Sequence, residues 1–159
     1  AADSPPIEAW VTFTCRDGGP DGLTDHGDLF EECVRVVQDC AQIIGVGLNC
    51  TEPYLVPLLL SIIREHSDGE KVIVCYPNSG EVYDMRGSAA SVGGTSGWRV
   101  IEGAAIAGPA VYAEMAQHWH QEGAQVIGGC CRIGPSEIAA LSAAFPYAQP
   151  EDDGLPSAL

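Results

Sequence analysis

The chain has 159 residues, with 22 Asp and Glu against 7 Lys and Arg, a formal charge of −15 and 46% hydrophobic residues. That length and apolar content allow one packed core, and the acidic excess excludes a general binder of phosphate backbones or anionic membranes. No apolar run approaches the roughly 20 residues of a membrane span, and a charged fraction of only 18% argues against wholesale disorder.

Ala9–Thr14 reads as a strand, followed by a Gly- and Asp-rich loop from Arg16 to Asp28. Leu29–Cys40 is predicted helical, because Leu29, Phe30, Cys33, Val36, Val37 and Cys40 recur at three- and four-residue spacings. Ile43–Leu48 is a short strand, and Pro53 suits the first turn of a helix running to about His66, stopped by Ser67-Asp68-Gly69. Lys71–Tyr76 is the clearest buried strand. The longest connection, Pro77 to about Gly108, is rich in Gly and Ser. Pro109–Gln121 is predicted helical, Gln125–Ile127 lies in a strand, and Pro135–Phe145 is the last helix. Residues 1–146 thus form one domain, and 147–159 an acidic, Pro-rich tail expected to fray.

The order is β-α four times over, with no hairpin signal, and strict alternation implies a parallel sheet with helices packed outside it. Two architectures satisfy the pattern: a small, open, doubly wound sheet, or part of a (β/α)8 barrel, whose complete form takes about 250 residues. No Gly-x-Gly-x-x-Gly turn follows the first strand, so a dinucleotide fold lacks support.

Seven cysteines are many for this length. A disulfide framework belongs to small secreted domains with weak cores, and Ala1–Pro6 has neither the basic nor the apolar region of a signal peptide. Free thiols in a reducing, cytoplasmic setting are therefore expected. The chain starts on Ala rather than Met, as a processed product or a piece of something longer would.

Residues after the carboxyl ends of parallel strands share one face, where ligands bind. Here they are Thr14 and Cys15, Asn49 and Cys50, Pro77, Asn78 and Ser79, then Gly129, Cys130 and Cys131. Cys50, Cys130 and Cys131 converge there and make a donor set suited to zinc. Both members of the adjacent pair can reach one ion only if the backbone turns sharply, which Gly128-Gly129 and Gly134 permit. A packed pair or a vicinal disulfide fits the same spacing. Cys33, Cys40 and Cys75 are expected in the core. Asn49 and Asn78 can orient an amino-acid substrate or merely shape turns, and Thr12 and Thr14 can face the same rim or serve as ordinary strand residues. His118 and His120, two apart on a helix, diverge and are read as surface residues. Asp17, Asp21, Asp25 and Asp28 lack calcium-loop spacing and are read as a solvated loop.

Three blocks in order, Gly47-Leu48-Asn49-Cys50-Thr51, Tyr76-Pro77-Asn78-Ser79-Gly80-Glu81 and Gly128-Gly129-Cys130-Cys131-Arg132, with Pro135 behind the last, resemble the homocysteine S-methyltransferase family from about Trp10 to about Phe145. The resemblance implies an α/β fold, the C-terminal half (last four βα units) of a (β/α)8 TIM barrel. It implies a zinc ion (Zn2+) on Cys50, Cys130 and Cys131, with the sulfur of homocysteine as the remaining ligand. It further implies methyl transfer to the homocysteine thiolate, giving methionine, from a sulfonium donor such as S-methylmethionine or S-adenosylmethionine. Family members carry four earlier βα units with an Asp-Gly motif and acidic groups for the substrate ammonium, none of which this sequence matches. A partner is therefore expected, either an N-terminal half-barrel or a second chain. The competing reading is a non-enzymatic zinc or thiol module, which would have no use for the Tyr-Pro-Asn-Ser-Gly block.

Overall fold

Hydrophobic periodicity lays out the framework. In the computed structural model, which describes residues 7–17, 19–84, 97–100, 106 and 108–146, strands and helices alternate as expected. Strand β1 is Ala9–Phe13, β4 is Ile43–Asn49, β5 is Val72–Tyr76 and β8 is Val126–Ile127. These four pair in parallel in the order β1-β4-β5-β8. Each new strand joins the same side of the sheet, without the reversal that defines a doubly wound fold. Helices α1 (Phe30–Gln38), α2 (Val56–His66, entered through a 3-10 turn at Pro53–Leu55), α3 (Pro109–Gln121) and α4 (Pro135–Ala144) fill the crossovers and the end. No helix among the described residues is long and apolar enough to cross a membrane.

The core lies between the helices and one face of the sheet. Val46, Leu48, Ile73 and Cys75 alternate along β4 and β5 and pack with Phe30, Val34, Leu59, Ile63 and Ala116. Trp119 and Tyr112 of α3 meet edge to face, with centroids 5.6 Å apart, and are the largest fully buried side chains. The helices are also tied at the surface, α1 to α2 through Glu31 and His66 and α2 to the end of α3 through Arg64 and Glu122.

Two expectations are corrected. The loops hold two antiparallel ladders that strict alternation does not include: β2 (Cys15–Arg16) with β3 (Leu23–Thr24), and β6 (Glu81–Asp84) with β7 (Gly97–Val100). Val82-Tyr83 and Trp98 to Val100 have strand propensity, but they lie too far apart in sequence to announce their pairing. On α1 the buried positions are Phe30, Val34 and Val37, whereas Val36 is exposed. Cys40 lies past the helix end, exposed rather than in the core, because the helix closes at Gln38. Cys75 is buried and Cys33 half-buried. Residues 147–159, expected to fray, lie outside the described residues, as does much of the Gly- and Ser-rich connection.

Glycines in β4 let the central strands approach closely. A Cβ at Gly47 would overlap the carbonyl of Val74, and one at Gly45 would crowd the Val72 carbonyl and Trp10. Backbone cannot yield as a side chain can, so Gly47→Ala is expected to destabilise the chain by about 3 kcal/mol. Urea unfolding checks this; an unchanged midpoint would show that the two strands can separate without cost.

Candidate metal centre

The rim at the carboxyl ends of β4, β5 and β8 is assembled by one short segment, residues 76–81. The carbonyl of Tyr76 accepts the N–H of Cys50 at 3.2 Å, and that of Pro77 accepts the N–H of Cys130 at 2.9 Å. The N–H of Ser79 reaches the carbonyl of Cys131 at 3.1 Å. Asn78 donates its amide N–H to the Cys50 carbonyl at 3.0 Å, while its Oδ1 accepts the N–H of Gly80 at 2.7 Å. Three cysteines from two distant loops are thereby fixed to a common frame, and all three Sγ atoms lie within 4.8 Å of one another.

Two of the three sulfur spacings suit a metal. Tetrahedral thiolate around zinc places sulfurs roughly 3.8 Å apart, given a Zn–S bond of about 2.3 Å. Cys131 Sγ lies 3.9 Å from both Cys50 Sγ and Cys130 Sγ. Cys50 and Cys130 themselves are joined in a disulfide, with their Cα atoms 5.4 Å apart. This corrects the expectation of free thiols at these two positions, and the bridge joins Cys50 to Cys130 rather than the adjacent Cys130 and Cys131, whose sulfurs lie 3.9 Å apart. Thiols held close enough to share an ion are also close enough to couple. The same donor set serves a metal only when reduced, because the ligand is the thiolate.

The backbone turn is made differently from the expectation. Among the described residues, the two non-glycine positions with positive φ are Cys50 at 48° and Arg132 at 65°. Gly134 is extended. Gly129 supplies space instead, since a Cβ there would sit inside the Ile133 side chain. Left-handed backbone at non-glycine residues costs about 1–3 kcal/mol and collects at functional sites. Here it flanks the sulfurs on both loops.

The remaining candidates sort by their partners. Cys15 is buried, and burial pushes its thiol up to about 12, as it does for Cys75, so neither supplies a thiolate near neutral pH. Asn49 donates to Thr14 Oγ1 at 3.0 Å, and Thr12 Oγ1 lies 2.6 Å from the Tyr76 hydroxyl. His118 and His120 are exposed, and His120 Nδ1 engages the Ala124 carbonyl. Three groups given no role by sequence reasoning support the rim. Tyr112 donates its buried hydroxyl to the Gly128 carbonyl just ahead of the cysteine pair. Thr51, fully buried, accepts the Cys15 N–H and donates to the Asn49 carbonyl. Glu81 accepts from Arg132 Nε at 2.6 Å and from Ser79 Oγ at 3.1 Å, and the Arg132 bond holds its carboxyl below the usual range. A Ser-x-Glu pair and an Arg beside the cysteines were visible in sequence, but nothing local said that they meet.

The family model for homocysteine S-methyltransferase matches residues 1–145. The chain belongs to the homocysteine S-methyltransferase family. Among curated members, homocysteine S-methyltransferase 4 of Zea mays is 37% identical over 147 residues, covering 92% of this chain and 38% of its own length. Homocysteine S-methyltransferase YbgG of Bacillus subtilis is 34% identical over 139 residues, covering 87% of this chain and 38% of its own. This member of the family thus spans little more than a third of the length of the relatives it matches. Among solved structures, the homocysteine methyltransferase MmuM of Escherichia coli in its metallated form superposes with a TM-score of 0.58 at 27% identity, covering 86% of this chain and 35% of that one. Its oxidized form gives 0.57 at 28% identity, covering 86% and 36%.

Proposed function

We propose that this chain is the C-terminal half, the last four βα units, of a (β/α)8 barrel that transfers a methyl group to the sulfur of homocysteine. The observation that carries the proposal is the convergence of Cys50, Cys130 and Cys131 on the carboxyl rim of a parallel sheet. Consecutive strand order, four helices and kinship with homocysteine methyltransferases support it. Residues 1–146 form the half-barrel in this reading, and 147–159 a tail.

In the reduced chain the three cysteines would hold Zn2+, which keeps a coordinated substrate thiol deprotonated near neutral pH and hence nucleophilic. The chain's own residues position that centre. Asn78 and the carbonyls of Tyr76 and Pro77 fix the cysteine loops, and Asn49, anchored on Thr14, precedes Cys50 in the chain and in this reading orients the substrate. The homocysteine thiol gives up its proton to solvent, and its sulfur attacks the methyl carbon of a sulfonium donor, S-methylmethionine or S-adenosylmethionine. The donor's S–CH3 bond breaks with its electron pair left on the donor sulfur, and methionine forms. Groups that hold the amino-acid ammonium belong, in this reading, to an N-terminal half or a second chain across the open edges. A cytoplasmic setting fits because thiolate ligands persist where glutathione keeps thiols reduced. Methylation of homocysteine by the chain joined with an N-terminal half, lost when the three cysteines are replaced by Ser, tests the proposal.

Oxidation is the natural antagonist of such a centre. A mild oxidant is expected to release zinc in step with loss of free thiols, because the Cys50–Cys130 bond removes two of three ligands. Zinc release and thiol content measured together check this; metal retained after those thiols are consumed would refute it.

A further inference from the structure

Each cysteine of the rim is fixed by backbone bonds to residues 76–81, but Cys131 is fixed least directly. Cys50 is held through both its N–H and its carbonyl, and Cys130 through its N–H to Pro77 and its carbonyl to Ile133. Among the described residues, the backbone bond of Cys131 is the one its carbonyl accepts from the Ser79 N–H. The next residue, Arg132, stands in left-handed backbone with φ of 65°. Its side chain reaches back across the turn to Glu81, whose Oε2 it shares with Ser79 Oγ, and Ser79 Oγ lies 3.4 Å from the Glu81 N–H. The Ser79–Glu81 segment thus grips Cys131 on its carbonyl and, through Arg132, on the side that follows.

From this geometry we infer that Glu81 and Arg132 are positioning residues that hold the strained turn in the conformation presenting Cys131 as the third metal ligand. The inference rests on the three-cysteine reading above and adds what makes the third cysteine available. A thiolate that must be turned into place at binding offers lower affinity than one already there, and partners beyond the ligands commonly tune metal affinity. The Glu81 side chain is 19% exposed and that of Arg132 50%. A pair with one partner this open contributes little to global stability, so its effect is local. That separates positioning from a general structural role.

The test uses the full chain under reducing conditions, with zinc affinity read by chelator competition and cobalt(II) as a spectroscopic stand-in. Glu81→Ala and Arg132→Ala are expected to weaken zinc on the order of tenfold or more. Both should also reduce the cobalt–thiolate absorption, with the thermal midpoint unchanged. Arg132→Gly adopts left-handed backbone freely, so it should bind more tightly than Arg132→Ala, and adding Glu81→Ala to it should cost less affinity than Glu81→Ala costs the wild-type chain. Affinity and cobalt spectrum unchanged in Glu81→Ala would overturn the inference, and so would Arg132→Gly binding no better than Arg132→Ala. The larger reading fails separately: if the wild-type chain binds no zinc, or Cys131→Ser binds as the wild type does, the three-cysteine centre itself is wrong. If Cys131→Ser loses affinity while Glu81→Ala keeps it, only the positioning role falls.

Discussion

Replacing Cys130 and Cys131 together by Ser is expected to reduce zinc from about one ion per chain to background. Thiolate is the ligand that zinc selects here, and a serine hydroxyl, which stays protonated near neutral pH, does not replace it. The variant keeps one of three sulfurs, and no other thiol replaces the lost two: Cys15 and Cys75 are buried with thiols pushed up to about 12, and Cys33 and Cys40 lie outside the three-cysteine cluster. The fold should survive, since both replaced residues sit on the rim, outside the buried core cluster. Metal analysis of protein purified under reducing conditions, with far-ultraviolet circular dichroism as the control for folding, decides the matter. Wild-type zinc in a folded double variant would exclude the centre.

A larger effect is expected when an N-terminal half is supplied. β1 and β8 are the outer strands of the four-stranded sheet, and among the described residues each leaves one backbone edge without a strand partner in it. Apolar surface borders both edges. Trp10 on β1 is 53% exposed, and Phe13 of the same strand lines a cleft with Cys33, Val36, Val37 and the acidic Asp28 and Glu32. On the β8 side a cleft of about 360 Å³ is lined by Ile127, Ile138, Leu141 and Phe145, with the polar His120, Gln125 and Ser142. Parallel sheets are ordinarily buried on both faces, so a companion closing the barrel would cover edges and clefts at once. Co-expression with the N-terminal half of a family member should give a one-to-one complex by size exclusion. Homocysteine methylation should rise at least about 100-fold over the isolated chain, since misplacing one reactant costs that much. A monomer equally active with and without the added half would show that these residues suffice.

The elements were legible because helices and buried strands write their period locally. Pro109–Gln121, the starts at Ala9, Ile43 and Pro135 and the ends at His66, Tyr76 and Ile127 fall as the sequence predicts, and the other boundaries shift by one to three residues. The cysteine rim was legible too, because in a parallel sheet each strand's carboxyl end must open on the same side. Chain order of the elements and family resemblance together were enough to bring Cys50 near Cys130 and Cys131.

What the tertiary structure decided is who touches whom. Local pattern encodes a period but not a partner, so the antiparallel pairing of Glu81–Asp84 with Gly97–Val100 could not be read from either segment alone. The same holds for the Tyr112 hydroxyl on the Gly128 carbonyl and for Glu81 on Arg132, 51 residues apart. Consecutive addition of strands, rather than a doubly wound order, is likewise set by packing across the sheet. The left-handed turn at Arg132 is the clearest case. Glycine freedom predicts it at Gly128, Gly129 or Gly134, but the space beside Ile133 fixes Gly129 for its missing side chain, and the turn passes to a residue whose guanidinium finds a carboxylate across the rim.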